Sequence, residues 1–385
     1  MIINTLINRK KTTPPPPIDG LWSWGLNANN QLGDGTTTDR SSPVYVNSAF
    51  PDSGTVHAGV VNLECGKNFT LYTENYKLYG WGANNLGQLG DSTTTQRSSP
   101  IAIQTDQEIL MISCGDTHSA AVDALANSGL FWGQNNYGQL GDGTTTNRSS
   151  PVVIVSPDFI EVTAGASATM GISYSTAPYE LYAWGYGNDY RNNIGYSVST
   201  PNYLDFTPTQ FKKLRMGGYY GFAFDYTPSI YDLYGWGNNT YGNIGDGTTT
   251  DRNGYLQNVG GIGDFTMVRP SLSIIRPFTI AIKSDGTLWG WGGNNLGQLG
   301  LNDTTDRSSP VMIASGSWVY CAAGYDHALA IKYTDNTLWA WGDNRNGQLG
   351  DNSTTNRSSP VQIGSGAYIA VSAGSRFTVA QRITP

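Results

Sequence analysis

Three histidines, three cysteines and 29 acidic residues are what the 385-residue chain offers for nucleophilic, acid–base or metal chemistry. His118 and His327 stand at equivalent places in the segments Gly115-Asp-Thr-His118 and Gly324-Tyr-Asp-His327, with His57 elsewhere. Equivalent places in a repeat are far apart in space, so no triad forms. The expected role is structural, a ring nitrogen donating to a backbone carbonyl. Cys65 and Cys114 likewise precede Gly66 and Gly115, and Cys321 is two residues off that register; they read as small buried hydrophobes. Zinc needs clustered ligands such as C-x2-C, which are absent. Asp34-Gly-Thr-Thr-Thr-Asp39 lacks the D-x-D-x-D-G order of a calcium loop. No G-x-S-x-G, G-K-[ST] or H-E-x-x-H segment occurs. No catalytic residue, cofactor or metal site is expected, and the chain does not read as an enzyme.

The polar residues that do recur sit in turns. A segment W-G-x-N-x-x-G-Q-L-G-D-G-T-T-T-x-R-S-S-P-V appears, with small changes, at Trp24–Val44, Trp81–Ile101, Trp132–Val152, Trp291–Val311 and Trp341–Val361, and more loosely at Trp236. Its glycines supply positive φ and close backbone approach, its Asn suits an Asx-turn, and its Pro opens a strand without needing an N–H. Six of the 14 arginines (Arg40, Arg97, Arg148, Arg252, Arg307 and Arg357) take one position per repeat. They read as fasteners to Asp34, Asp91, Asp142, Asp246 and Asp351 or to loop carbonyls; a ring of arginines for an anionic ligand is the alternative.

The elements that position these turns follow from seven Trp-Gly anchors at Trp24, Trp81, Trp132, Trp184, Trp236, Trp291 and Trp341, about 53 residues apart, the period of a four-stranded propeller blade. The 44 residues beyond Trp341 and the six before Trp24 together make one more period, so the ends should complete one blade. A closed ring removes the exposed sheet edge and apolar end faces of an open array. Asp19–Trp24 is therefore expected to pair with Arg376–Ala380. The expectation is an all-β, seven-bladed propeller over residues 18–385, preceded by a separate arm, residues 1–17. Period-two alternation puts Trp289 and Trp291 on one strand face, with Leu288 and Gly290 on the other. The small residue before each anchor, such as Gly80, Gly235 or Ala340, is expected to let a neighbouring blade's aromatic approach.

Composition narrows the partners. A net charge of −7 lacks the footprint of nucleic-acid binding, and no run of 18 apolar residues suggests membrane insertion. Only 13% of residues are charged, so polar Asn, Ser, Thr and Tyr must make the surface.

The W-G-x-N-x-x-G-Q-L-G segment, preceded by a Gly-x-x-His-like strand at His118 and His327, resembles the regulator of chromosome condensation repeat family over residues 18–385. Phe69, Ala168, Phe278 and Phe377 replace the His elsewhere. The resemblance implies a seven-bladed propeller that binds another macromolecule through a face. Family members include a guanine-nucleotide exchange factor, a β-lactamase inhibitor, and many bacterial and phage proteins. The near-identical turns here look like the bacterial and phage branch.

Where the repeat breaks, contact residues are expected. After Trp184 the T-T-T-x-R-S-S-P segment is lost, and Tyr186, Tyr190, Arg191, Tyr196, Tyr203 and Phe206 enter among Asn and Ser, an adaptable mixture like a paratope. Asn47–Gly59 is a second, weaker break. In the arm, Arg9, Lys10 and Lys11 precede Pro14–Pro17, a stiff polyproline stretch suited to docking. The expected function is a structural, protein-binding propeller, a phage tail or capsid-associated component held in a larger assembly through its arm and located in the virion. The alternatives are a regulator or enzyme inhibitor in the bacterial cytoplasm or secreted, and a glycan-binding adhesin.

Overall fold

The structure is a computed structural model that describes residues 18–46, 62–173, 179–186, 197–204, 211–227, 230–259 and 264–383; every regular element among them is a β-strand. Five four-stranded antiparallel sheets follow one another, built from strands within residues 62–103, 109–154, 159–204, 211–258 and 265–314. They are blades 1 to 5. The remaining sheet has seven strands because one long strand, Arg357–Ala373, serves two blades. Its beginning pairs with Thr337–Gly342 (Ala340 opposite Val361), and its end pairs with Phe377–Ile383 (Val371 opposite Ala380). Blade 6 therefore starts at Trp318, and blade 7 combines the end of this strand with Phe377–Ile383, Ile18–Gly25 and Arg40–Tyr45. The seven-bladed expectation holds. So does the closure: Trp22, Ser23 and Trp24 lie opposite Ala380, Val379 and Thr378.

The core lies between blades. All seven anchor tryptophans are at most 1% exposed. The indoles of Trp81, Trp132, Trp291, Trp341 and Trp24 each donate to a carbonyl of the preceding blade (Gln31, Gln88, Asn243, Gln298 and Gln348) at 2.9–3.0 Å. In three blades the same carbonyl also accepts a hydroxyl, from Ser119, Thr279 or Thr378. Five blades are thereby keyed to their neighbours by an apolar ring whose polar atom is satisfied; Trp184 and Trp236 are as deeply buried, without such a bond among the described residues. The role expected of the small residue before the anchor belongs elsewhere. A Cβ at Gly80 would meet Leu71, Ile103 and Leu89 of its own blade, whereas one at Gly90, where φ is +82°, would sit 2.8 Å from Trp132 Nε1 of the next. The glycine of Gln-Leu-Gly admits the neighbour's aromatic.

The first strand of each blade lies innermost, at an unpaired sheet edge. Side chains of the preceding blade cap that edge: Ser372 Oγ accepts from Cys65 N–H, Ser113 Oγ from Ala164 N–H, and Thr163 Oγ1 from Met216 N–H, at 2.9–3.1 Å. Ion pairs also join the inner strands, one between neighbouring blades 3 and 4 and one across the axis. Arg215 meets Glu161 at 2.7 Å, and Arg269 of blade 5 approaches Glu64 of blade 1 at 3.7 Å while stacking on Tyr320.

Candidate protein-binding face

Each blade sends two connectors to the same end of the propeller. One links the first and second strands; the other joins the third and fourth and, in every blade but the third, carries the W-G-x-N segment. The second kind is a rigid scaffold. Asn84 is fully buried; its carboxamide oxygen accepts from Leu89 N–H, and its nitrogen donates to Asp91 and to the carbonyls of Thr93 and Thr95. Asn27, Asn135, Asn239, Asn294 and Asn344 repeat this fully buried placement. The residue is a staple across a twelve-residue loop, not the local Asx-turn expected of it. The arginine fasteners are as expected: Arg40, Arg97, Arg148, Arg252 and Arg357 pair with Asp34, Asp91, Asp142, Asp246 and Asp351. Burial alone would raise these carboxyls; hydrogen bonds, from Thr93 and Arg97 in the case of Asp91, hold them below the usual range. In blade 5, Leu301 stands at the Asp position, and Arg307 turns to Asp303 at 2.5 Å. The prolines lie inside the outermost strands, as Pro100 does in Arg97–Ile103, where a missing N–H blunts the edge.

The first-to-second connectors close on the axis. Six are three residues long and begin with a glycine whose N–H bonds the carbonyl three positions on, as Gly66 bonds Phe69 and Gly115 bonds His118. A Cβ on Gly115 would collide with the Gly165 carbonyl, and one on Gly165 would lie 2.7 Å from that of Gly217; the glycines form a girdle that only hydrogen side chains permit. Across the mouth, Tyr325 O–H of blade 6 donates to Asp116 of blade 2 at 2.6 Å. Burial pushes the Asp116 carboxyl up to about 6, and burial with the nearby Asp343 pushes Asp326 to about 6.

His118 and His327 lie behind this girdle. Nε2 of each faces a threonine hydroxyl of the next blade, Thr169 at 2.9 Å and Thr378 at 3.1 Å, and these hydroxyls donate to the carbonyls of Gln139 and Gln348. The expected bond to a carbonyl thus passes through a hydroxyl. Burial lowers both rings to about 4. The fourth blade fills the site with Tyr220, whose O–H donates to the Phe278 carbonyl. The three cysteines are buried and free, and burial pushes Cys65 and Cys321 up to about 12. Among the described residues no three His, Cys, Asp or Glu side chains group as metal ligands.

Blade 5 departs from the rule. Its connector spans residues 271–277: Ser271 N–H bonds the Phe278 carbonyl in the glycine's place, and Leu272-Ser-Ile-Ile-Arg276 loops outward. Leu272 and Ser273 are buried, whereas Ile274 and Ile275 are 43% and 75% exposed. Residue-by-residue reading missed this finger, although the Trp236–Trp291 spacing, 55 against 52 for the preceding pair, is its signal. Of the contact residues expected from sequence, Tyr186 lies on this end, its ring 4.5 Å from that of Tyr137 in blade 2. Tyr203 does not join it; it sits on the outermost strand Val198–Leu204 opposite Tyr182. Tyr190, Arg191, Tyr196, Phe206, Arg9, Lys10, Lys11 and Asn47–Gly59 lie outside the described residues.

Comparison with known proteins agrees with this architecture. The Arabidopsis thaliana ultraviolet-B receptor UVR8 is 30% identical over 338 residues, covering 81% of this chain and 70% of that protein. The structure of yeast RCC1 (Prp20) bound to Kap60 superposes with a TM-score of 0.81 at 14% identity, over 99% of this chain and 92% of that one. Prp20p from Saccharomyces cerevisiae, described with its binding to Gsp1p and histones, gives 0.78 at 16% identity over 96% and 92%. The regulator of chromosome condensation (RCC1) repeat model matches residues 19–72, 77–122, 130–172, 285–331 and 335–381, and a second model of the same repeat matches 319–348. The gap between 172 and 285 contains both the Trp184 break and the blade 5 finger. With more than half its length matched, the chain belongs to the regulator of chromosome condensation (RCC1) repeat family.

Proposed function

We propose that this propeller is a non-catalytic protein-binding module that engages its partner through the connector face. The observation that carries this reading is the placement of departures from the repeat. The staples, fasteners and indole keys recur from blade to blade, while the exposed Ile274–Ile275 finger and the Tyr137–Tyr186 pair occupy one end. A rigid scaffold with variable connectors at one end is a usual arrangement for recognition. Prp20, a propeller of the same fold, is described with the protein partners Gsp1p, Kap60 and histones. The test is capture by the full chain from lysate of its source cells, read by mass spectrometry. Partners should be lost from an Ile274→Asp/Ile275→Asp variant and retained by Asp335→Ala, in a strand turn at the other end. Loss from neither variant, or only from the second, removes the reading.

A finer reading places the protein in a phage virion, held through residues 1–17. Its support is compositional: low charge, polar repeated turns, and basic residues beside Pro14–Pro17. The plant and yeast proteins named above lend the bacterial or phage branch no support. Mass spectrometry of purified virions against cell lysate tests it, and deletion of residues 1–17 should release the propeller from particles.

A further inference from the structure

The blade 5 finger is built to hold its shape. A Cβ on Gly218 would lie 2.7–2.9 Å from Ser273 and Leu272 carbonyls and the Ile274 side chain, so blade 4 packs directly against the finger's base. Arg276 N–H bonds Ser273 Oγ at 3.3 Å, and the Arg276 guanidinium lies 4.9 Å over the Tyr241 ring and 3.2 Å from Asp306. Two exposed isoleucines on a clamped base lose little conformational freedom when a partner covers them.

The charges around the finger are layered. Arg345, which follows the blade 6 anchor, is 58% exposed, while its partner Asp343 is 1% exposed beneath it. Arg345 uses Nε and Nη2 on Asp343, leaving Nη1 among its five donors. Arg376, in the blade 7 connector, is exposed, and Asp326 lies half-buried between the arginines. Arg345 thus stands over a sunken carboxylate and Arg376 is exposed near half-buried Asp326, whereas Arg276 and its partner Asp306 are equally half-exposed, in a chain whose net charge is −7. A guest meets apolar surface and guanidinium donors together.

From this arrangement we propose that the sector over blades 5 to 7 takes an acidic protein segment carrying an apolar side chain. The apolar side chain packs on Ile274 and Ile275, and its flanking carboxylates meet Arg276, Arg345 and Arg376. Guanidinium groups suit carboxylates through paired, directional hydrogen bonds, and the apolar contact separates this guest from a purely electrostatic one. The inference rests on the connector face being the protein-binding surface.

The experiment is fluorescence anisotropy of the full chain with four labelled probes: twelve-residue peptides of Glu with Leu, Glu with Ser, and Lys with Leu, and an oligothymidylate of equal length. The Glu/Leu peptide should bind most tightly, and its affinity should fall as salt is raised, because the pairing is electrostatic. Ile275→Asp, and separately Arg376→Glu, should each weaken it by about tenfold or more, the scale of one lost buried contact set. Both sites are exposed, and an unchanged melting temperature establishes that each variant is folded. The proposal is overturned if Glu/Leu does not bind, if the variants leave its affinity unchanged, or if the Lys/Leu peptide or the oligothymidylate binds as well. If Glu/Leu fails while Ile274→Asp/Ile275→Asp still abolishes partner capture, the acidic segment is wrong and the face stands. If both fail, the face reading falls with it.

Discussion

At the residue scale, a buried carboxamide and a buried imidazole do work that their sequence context only half discloses. Asn135 accepts from Leu140 N–H and donates to Asp142 and to the carbonyls of Thr144 and Thr146, all from a fully buried site. Asn135→Ala leaves these groups unsatisfied inside the protein, and a loss of roughly 2–4 kcal/mol is expected, measured by urea unfolding. The recurrence of the Asn was legible in sequence, but its partners five to eleven residues on were not, because the loop's path is set by its glycines and not by the Asn itself. The histidines carry a pH signature. Burial holds His118 and His327 at about 4, below the ordinary 6.5, so their contribution is complete above about pH 6.5 and is lost as pH falls through 4. Asp116 and Asp326, raised to about 6, act oppositely: their contribution is present below about 3.8 and is lost as pH rises through 6. Replacing both histidines with phenylalanine, the residue at the equivalent sites 69, 278 and 377, removes only the first effect. The His118→Phe/His327→Phe variant should therefore lose less melting temperature than the parent between pH 6.5 and 4. Parallel curves would show that the rings are not buried neutral.

At the element scale, the connectors decide what each blade presents. Three-residue connectors starting with glycine bring the inner strands together, and Gly115→Ala forces a methyl group into the Gly165 carbonyl. A loss of about 3 kcal/mol or more is expected, in the range of overpacking and backbone displacement, by denaturant unfolding. Ala at Gly364, where a Cβ would meet nothing within 4 Å, is the comparison, with only its φ of +57° to resist it. The strands and their alternation were legible because Trp-Gly recurs at a blade's period. The finger of residues 271–277 was not, because its flanking strands keep the pattern and the four extra residues, a mixture of Ser, Leu, Ile and Arg, carry no turn motif of their own. The same reasoning explains why Tyr186 reached the face and Tyr203 did not: one follows the anchor directly, and the other belongs to an outermost strand.

At the scale of the whole molecule, closure joins Ile18–Gly25 and Phe377–Ile383 in one blade, as the residue counts before the first anchor and after the last lead one to expect. Trp24 is the sharpest probe of it, since its indole packs with Leu329, Leu338 and Leu349 of blade 6 and donates to Gln348. Trp24→Ala should cost roughly 3–5 kcal/mol, and deletion of residues 18–24 should lower the melting temperature sharply; an unchanged value for the deletion contradicts the closed ring. The closed ring in turn gives the connector face its fixed geometry, and recognition by that face is the central claim. Hydrogen–deuterium exchange of the full chain, with and without a partner captured from its source cells, tests it most directly. The account expects slowed exchange in residues 271–277, 324–326 and 374–376, with the turns at residues 284–287 and 333–336 unchanged. Protection confined to those turns at the opposite end would contradict it.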